Sequence, residues 1–148
     1  MKRGVTEMSS HTKTSETESA EVALVRAFFD ATVATPDGFW NSFASYFNAD
    51  TIWENVGVAQ TIGPDEAANF AKAFPIKFDH MRIDGLVLSE DGNRVYAERF
   101  DHFCRSDNTI IATIRALGVL EIEGGKIVRW RDYFDTAGFL AAVGQQGQ

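Results

Sequence analysis

The sequence predicts an α+β fold, with helices first and a curved, mostly antiparallel sheet after them, the helices packed on one of its faces. Three observations predict it. Apolar residues recur at helical spacing from Val22 to Val33. The second half holds four long β-like runs, Lys77–Leu88, Arg94–Arg105, Thr109–Ile122 and Lys126–Tyr133. Their separators, Asp91-Gly92-Asn93, Ser106-Asp107-Asn108 and Gly124-Gly125, are turn chemistry of hairpin length, which makes neighbouring strands antiparallel. Helices grouped ahead of strands define the α+β layout.

Taken in order, residues 1–18 are rich in Ser, Thr, Glu and Lys and read as a flexible tail, followed by one domain over 19–148. The first twenty residues lack the apolar run of a secretory signal. Order begins at Ser15-Glu16-Thr17-Glu18, a capping-box pattern, or at Ser19. Val22, Val25, Phe29 and Val33 form the buried stripe of the first helix, widened by Leu24 and Phe28. Pro36-Asp37-Gly38 ends it. A short second helix carries Phe39, Phe43, Tyr46 and Phe47 on one side, and Thr51–Val56 reads as a strand. Gly63-Pro64-Asp65-Glu66 opens a third helix, with proline at its first position and acids in its first turn. Asp135 caps a last helix bearing Phe139, Leu140 and Val143.

Composition narrows the function. The chain has 148 residues, 45% of them hydrophobic, and twelve phenylalanines, which excludes a disordered chain and points to an aromatic core or pocket. The net charge of −7, with no basic cluster, excludes a nucleic-acid or anionic-membrane surface. No apolar run is long enough to span a membrane. The single cysteine, Cys104, permits no internal disulfide and reads as an inert buried thiol. His11, His80 and His102 lack ligand spacing, so no metal is expected, and no glycine-rich loop is placed to cradle a phosphate.

The informative signal is charge on core-facing strand positions. Alternate strand residues share a face. Val95, Ala97, Arg99, Asp101 and Phe103 share one; in the last run Val128, Trp130, Asp132 and Phe134 share another, with Arg129, Arg131 and Tyr133 opposite. An ionised carboxylate between Trp130 and Phe134 is costly unless it is paired or lines a cavity. Arg99 is the partner in reach, because one guanidinium fork can bridge two carboxylates. Trp53 and Asn55 fall together on the first strand, which makes Asn55 a buried polar candidate. Two readings follow. The charges form a salt-bridge network that only fixes the sheet, or they form the polar floor of an apolar pocket where one acid and one base work together.

At these residues the chain resembles a known family. Trp53-Glu54-Asn55-Val56-Gly57, Glu98-Arg99-Phe100-Asp101 and Trp130-Arg131-Asp132-Tyr133-Phe134-Asp135 are similar, in order and spacing, to the three motifs of limonene-1,2-epoxide hydrolases. The resemblance covers Ala20 to Phe139. It implies the cone-shaped fold shared with nuclear transport factor 2, ketosteroid isomerase and SnoaL-like cyclases: a curved mixed sheet, mostly antiparallel, with three to four helices on its concave face. It also implies one-step addition of water to a cyclic or terpene-like apolar epoxide, with no metal and no cofactor, in a cytoplasmic homodimer. Exposed-face residues such as Tyr96 and Tyr133 are consistent with pairing through the sheet. By the same resemblance Asp132 is the general base, Asn55 and position 53 help hold the water, Arg99 bridges the acids, and Asp101 protonates the epoxide oxygen. Phe103, Phe134 and Phe139 are the candidates for the substrate-binding wall.

One position departs from the pattern: Trp53 stands where the family carries tyrosine. An indole N–H only donates, whereas a tyrosine hydroxyl donates and accepts. The alternatives are an isomerase or cyclase on the same fold, and a non-catalytic binding protein for apolar small molecules.

Overall fold

The structure, a computed structural model, describes residues 18–146. The tail expected over residues 1–18 and the Ser15–Glu18 capping box lie outside the described residues, except for Glu18, which pairs with Arg26 at 2.7 Å. Among the described residues the start at Ser19 is the one observed. Ser19 Oγ accepts from the Val22 amide at 3.0 Å and caps α1 (Ala20–Ala34). This helix buries Val22, Val25, Phe28, Phe29 and Thr32; Val33 is half-buried and packs against the same core.

The expected second helix is two single turns, α2 (Gly38–Asn41) and α3 (Phe43–Tyr46), and Phe47 belongs to the strand that follows. That strand, β1 (Phe47–Asn55), starts four residues before the predicted Thr51. It makes a hairpin with β2 (Ala59–Ile62), a strand the sequence reading missed because four residues carry too little alternation. Helix α4 (Gly63–Lys72) begins as expected, with Pro64 in its first turn, and Glu66 Oε1 accepts from the Ile62 amide at 2.9 Å.

The four long runs become β3 (His80–Asp91), β4 (Arg94–Cys104), β5 (Ile110–Glu123) and β6 (Lys126–Phe134). Asp135 Oδ1 then accepts from the Gly138 amide at 3.0 Å and caps α5 (Thr136–Gln146). The sheet order is β2-β1-β6-β5-β4-β3. All neighbours are antiparallel except β1 and β6, which run parallel and place Trp53 beside Trp130 and Asn55 beside Asp132.

Bulges curve the sheet. The register between β3 and β4 shifts between Asp84 and Val87, where Gly85 takes a φ of +66° that other residues adopt only at a cost. Another shift, between Glu121 and Ile122 opposite β6, corrects the expected faces of the last strand. Ile127, not Val128, enters the core, because the irregularity interrupts the two-residue alternation ahead of Trp130. The alternation of β4 holds from Val95 to Phe103.

Aromatic rings fill the space between helices and sheet. Phe28 and Phe29 of α1 meet Trp130 edge-on at 5.3 and 5.9 Å, and Phe43 lies 4.9 Å from Phe47. Cys104 is fully buried and unpaired. No helix among the described residues is long and apolar enough to cross a membrane.

Candidate active site

The two acids and the arginine come from strands that do not touch. Arg99 and Asp101 project from the inner face of β4, and Asp132 from that of β6, with β5 between them. Arg99 donates through Nη1 and Nη2 to Asp132 Oδ1 and Oδ2 at 2.7 Å each. It also donates through Nε and Nη2 to Asp101 Oδ1 and Oδ2 at 3.1 Å each. All three side chains are buried, Arg99 at 2% exposed. The guanidinium also lies 4.8 Å from the centre of the Phe29 ring.

This reach depends on a residue the sequence reading did not single out. On the inner face of β5, Gly118 stands between Ala97 and Asp132, and Ala116 between Arg99 and Phe134. A Cβ at position 118 would come within 2.9 Å of Trp130 Nε1, 3.0 Å of Asp132 Oδ1 and 3.2 Å of Arg99 Nη1. The missing side chain is the space in which the ion pair closes. A glycine inside an otherwise regular strand pattern was the available signal, since such glycines mark close approach.

Burial sets the electrostatics. With both acids ionised the trio carries one uncompensated negative charge away from water; with one protonated it is neutral. The Asp101 carboxyl is raised above its ordinary range, chiefly because burial penalises its charge; the nearby charge of Asp132 adds to this, and Arg99 opposes it. Burial alone would lower the Arg99 guanidinium, but the charges of Asp101 and Asp132 outweigh it, so Arg99 is held more firmly protonated. The bond lengths agree. The 2.7 Å contacts with Asp132 have the length of charge-assisted bonds to a carboxylate, and those with Asp101 are longer.

A cavity of about 40 Å³ opens over this floor, reached by Asn55, Arg99, Asp101 and Asp132 and by the rings of Trp53 and Trp130. Its walls are Phe39, Phe74, Met81, Phe103, Ile114 and Phe134. Trp130 Nε1 donates to Asp132 Oδ1 at 3.3 Å. The buried Trp53 Nε1 has no hydrogen-bond partner. Asn55 is half-buried at the cavity rather than sealed in the core.

The structure thus gathers Trp53, Asn55, Arg99, Asp101 and Asp132 around one cavity, with Phe103 and Phe134 in its wall. Phe139 is not part of that wall. It packs 5.6 Å from both Phe74 and Phe134, behind the lining, and borders a separate surface pocket beside α5, because the helix sets it one layer out from the sheet. Among the described residues no group of three or more His, Cys, Asp and Glu is placed to hold a metal ion.

Comparisons with known proteins give the family and the fold. The family pattern of the limonene-1,2-epoxide hydrolase catalytic domain matches residues 16–145. The epoxide hydrolase EphG of Mycobacterium tuberculosis is 31% identical over 98 residues, which are 59% of this chain and 56% of that protein; the match thus spans little more than half of its length. Among solved structures, an LEH-like epoxide hydrolase of M. tuberculosis superposes with a TM-score of 0.65 at 22% identity, covering 86% of this chain and 91% of the other. An NTF2-like protein of unknown function from Burkholderia pseudomallei K96243 gives 0.71 at 20% identity, covering 85% and 98%. At these identities the two structures establish the cone-shaped fold, and the family pattern establishes the kinship.

Proposed function

The chain belongs to the limonene-1,2-epoxide hydrolase family, and from that premise we propose that it adds water to an apolar epoxide in one step, by general acid and base catalysis at Asp101 and Asp132. The observation that carries this reading is the buried Asp101–Arg99–Asp132 bridge at the floor of an apolar cavity. A network that only fixed the sheet would have no need of an apolar cavity above it.

The roles follow from what each group can do. Asp132, ionised against Arg99, is the base. The nucleophilic water has two hydrogens and two lone pairs. Asp132 and the Asn55 amide oxygen take the hydrogens, and Trp53 Nε1–H donates to one lone pair, which leaves the other for the epoxide carbon. As the new carbon–oxygen bond forms and the ring bond breaks, the water proton passes to Asp132. The leaving oxygen takes the proton of Asp101, the acid whose charged form burial penalises. Transfer of a proton from Asp132 to Asp101, through solvent admitted as the diol leaves, restores the starting state. Arg99 stays charged throughout and fixes both carboxyl planes.

The chemistry fits the surroundings. An epoxide is strained and electrophilic, but its leaving alkoxide is poor without a proton, and a dry wall strengthens both proton contacts. Phe103 and Phe134 suit an apolar guest, of which limonene-1,2-epoxide is the reference member. An isomerase of this fold would want a tyrosine hydroxyl beside a protonated acid as its oxyanion hole, and no tyrosine is among the residues lining this cavity. The outer face of the sheet supports a homodimer: Val87, Leu117 and Tyr133 lie exposed along one cross-strand row that Glu98 interrupts, with Phe100 beside it.

The test is diol formation by purified protein from apolar epoxides ranging from 2,3-epoxybutane to limonene-1,2-epoxide, with EDTA present and Asp132→Asn as control. Diol that forms with EDTA and vanishes in the control is the expected result. No diol from any of them contradicts the reading.

A further inference from the structure

The cavity over the bridged acids is small. It measures about 40 Å³, and a second void on the α1 side of Arg99 and Asp101 measures about 20 Å³. One water needs about 10–15 Å³, and a cavity that takes up a benzene ring is on the order of 150 Å³. The site therefore has room for a few waters or a slim guest, and lacks room for a substituted six-membered ring.

What decides the guest is which walls can yield. Trp53 is the wall beside Asn55, and it is pinned on every side. Its ring stacks on Trp130 at 4.9 Å and 10°, meets Phe70 edge-on at 5.4 Å, and lies 5.1 Å from Phe43 and 6.4 Å from Phe39. Trp130 is in turn held by its bond to Asp132 and by Phe28 and Phe29. Swinging Trp53 aside would open the close-packed aromatic core between the helices and the sheet. Of the fully buried walls Met81 is the adaptable one, unbranched and soft, and its movement yields the volume of a side chain rather than of a ring.

Resting on the epoxide hydrolase reading, we infer that Trp53 sets the size limit of the site, and that the preferred substrates are compact apolar epoxides of about three to five carbons rather than monoterpene-sized ones. The same indole serves two ends. Its packed ring limits the guest, and its buried Nε1–H has no partner within the protein.

The experiment compares kcat/KM for cis-2,3-epoxybutane and limonene-1,2-epoxide in the wild type, Trp53→Tyr and Trp53→Phe. The ratio of the two substrates within one variant cancels any general loss of activity, and Trp53→Phe carries the comparison if Trp53→Tyr does not fold. The wild type is expected to favour epoxybutane by about tenfold or more, and either variant to move the ratio toward limonene epoxide by a similar factor. A wild type that hydrolyses limonene epoxide as well as epoxybutane overturns the size limit and leaves the hydrolase reading standing. A ratio that the variants do not move overturns the assignment to Trp53. Absence of diol from both substrates in the wild type overturns the hydrolase reading, and this inference with it.

Discussion

Arg99 and Asp132 make two hydrogen bonds of 2.7 Å although a whole strand lies between the strands that carry them. The contact spans β5 at the one inner position without a side chain, Gly118. Site and sheet are thus one construction: the order β6-β5-β4 sets the distance, and the glycine lets the arginine close it.

Gly118→Ala should therefore damage the site more than the fold. Its methyl group would meet Trp130 Nε1 at 2.9 Å and Asp132 Oδ1 at 3.0 Å, so the bridge must shift. The expected result is a fall of about a hundredfold in kcat with a stability loss of about 1–3 kcal/mol. Paired kinetics and urea melts check it, and an unchanged kcat would contradict it.

Removing the cation is the severe change. Arg99→Met leaves two buried carboxyls with no counter-charge and should destabilise the protein by about 3–5 kcal/mol at neutral pH. Arg99→Lys keeps the charge without the fork, so it should recover part of the stability and none of the activity. Urea denaturation of the two variants orders them.

Asp132→Asn should spare the fold. Asp132 is one of the causes that raise the Asp101 carboxyl; without its charge, Asp101 ionises more readily and neutralises Arg99. The expected loss is about 1–3 kcal/mol in stability and about a thousandfold or more in diol formation. Near-native circular dichroism with substantial residual turnover would contradict the role of the base.

Asp101 ties pH to both activity and stability. Its folded value lies above its unfolded one, so between the two the unfolded chain holds fewer protons than the folded chain. The stability this group contributes is complete below the ordinary carboxylate value and is lost as pH rises through the raised folded value. Asp101→Asn should remove that slope, so its stability relative to wild type should increase with pH across this window. Wild-type kcat should fall over the same alkaline limb as the proton donor is lost. Melts and rates on one pH series test both signs.

How much of this was legible in the sequence follows from which contacts are local. Asp132 between Trp130 and Phe134, and Arg99 beside Asp101, were readable because strand alternation is a two-residue property and β4 keeps it without interruption. The parallel pairing that sets Asn55 beside Asp132 was not readable, since it joins residues far apart in the chain with no turn between them. Gly118 was visible only as a glycine; what passes over it depends on strand order. Val128 was placed on the wrong face because no local pattern marks the bulge before Trp130. Phe139 is a candidate for the pocket wall in the sequence, and only the placement of α5 shows it packed against Phe74 and Phe134 outside the lining.

The measurement that tests the central claim most directly is a single turnover of cis-2,3-epoxybutane in water enriched in oxygen-18, with the diol and the intact protein both weighed by mass spectrometry. Direct attack by a water held between Asp132, Asn55 and Trp53 places one labelled oxygen in the diol on the first turnover and none in the protein. An unlabelled diol on the first turnover, with the label appearing in a protein carboxylate, would contradict it.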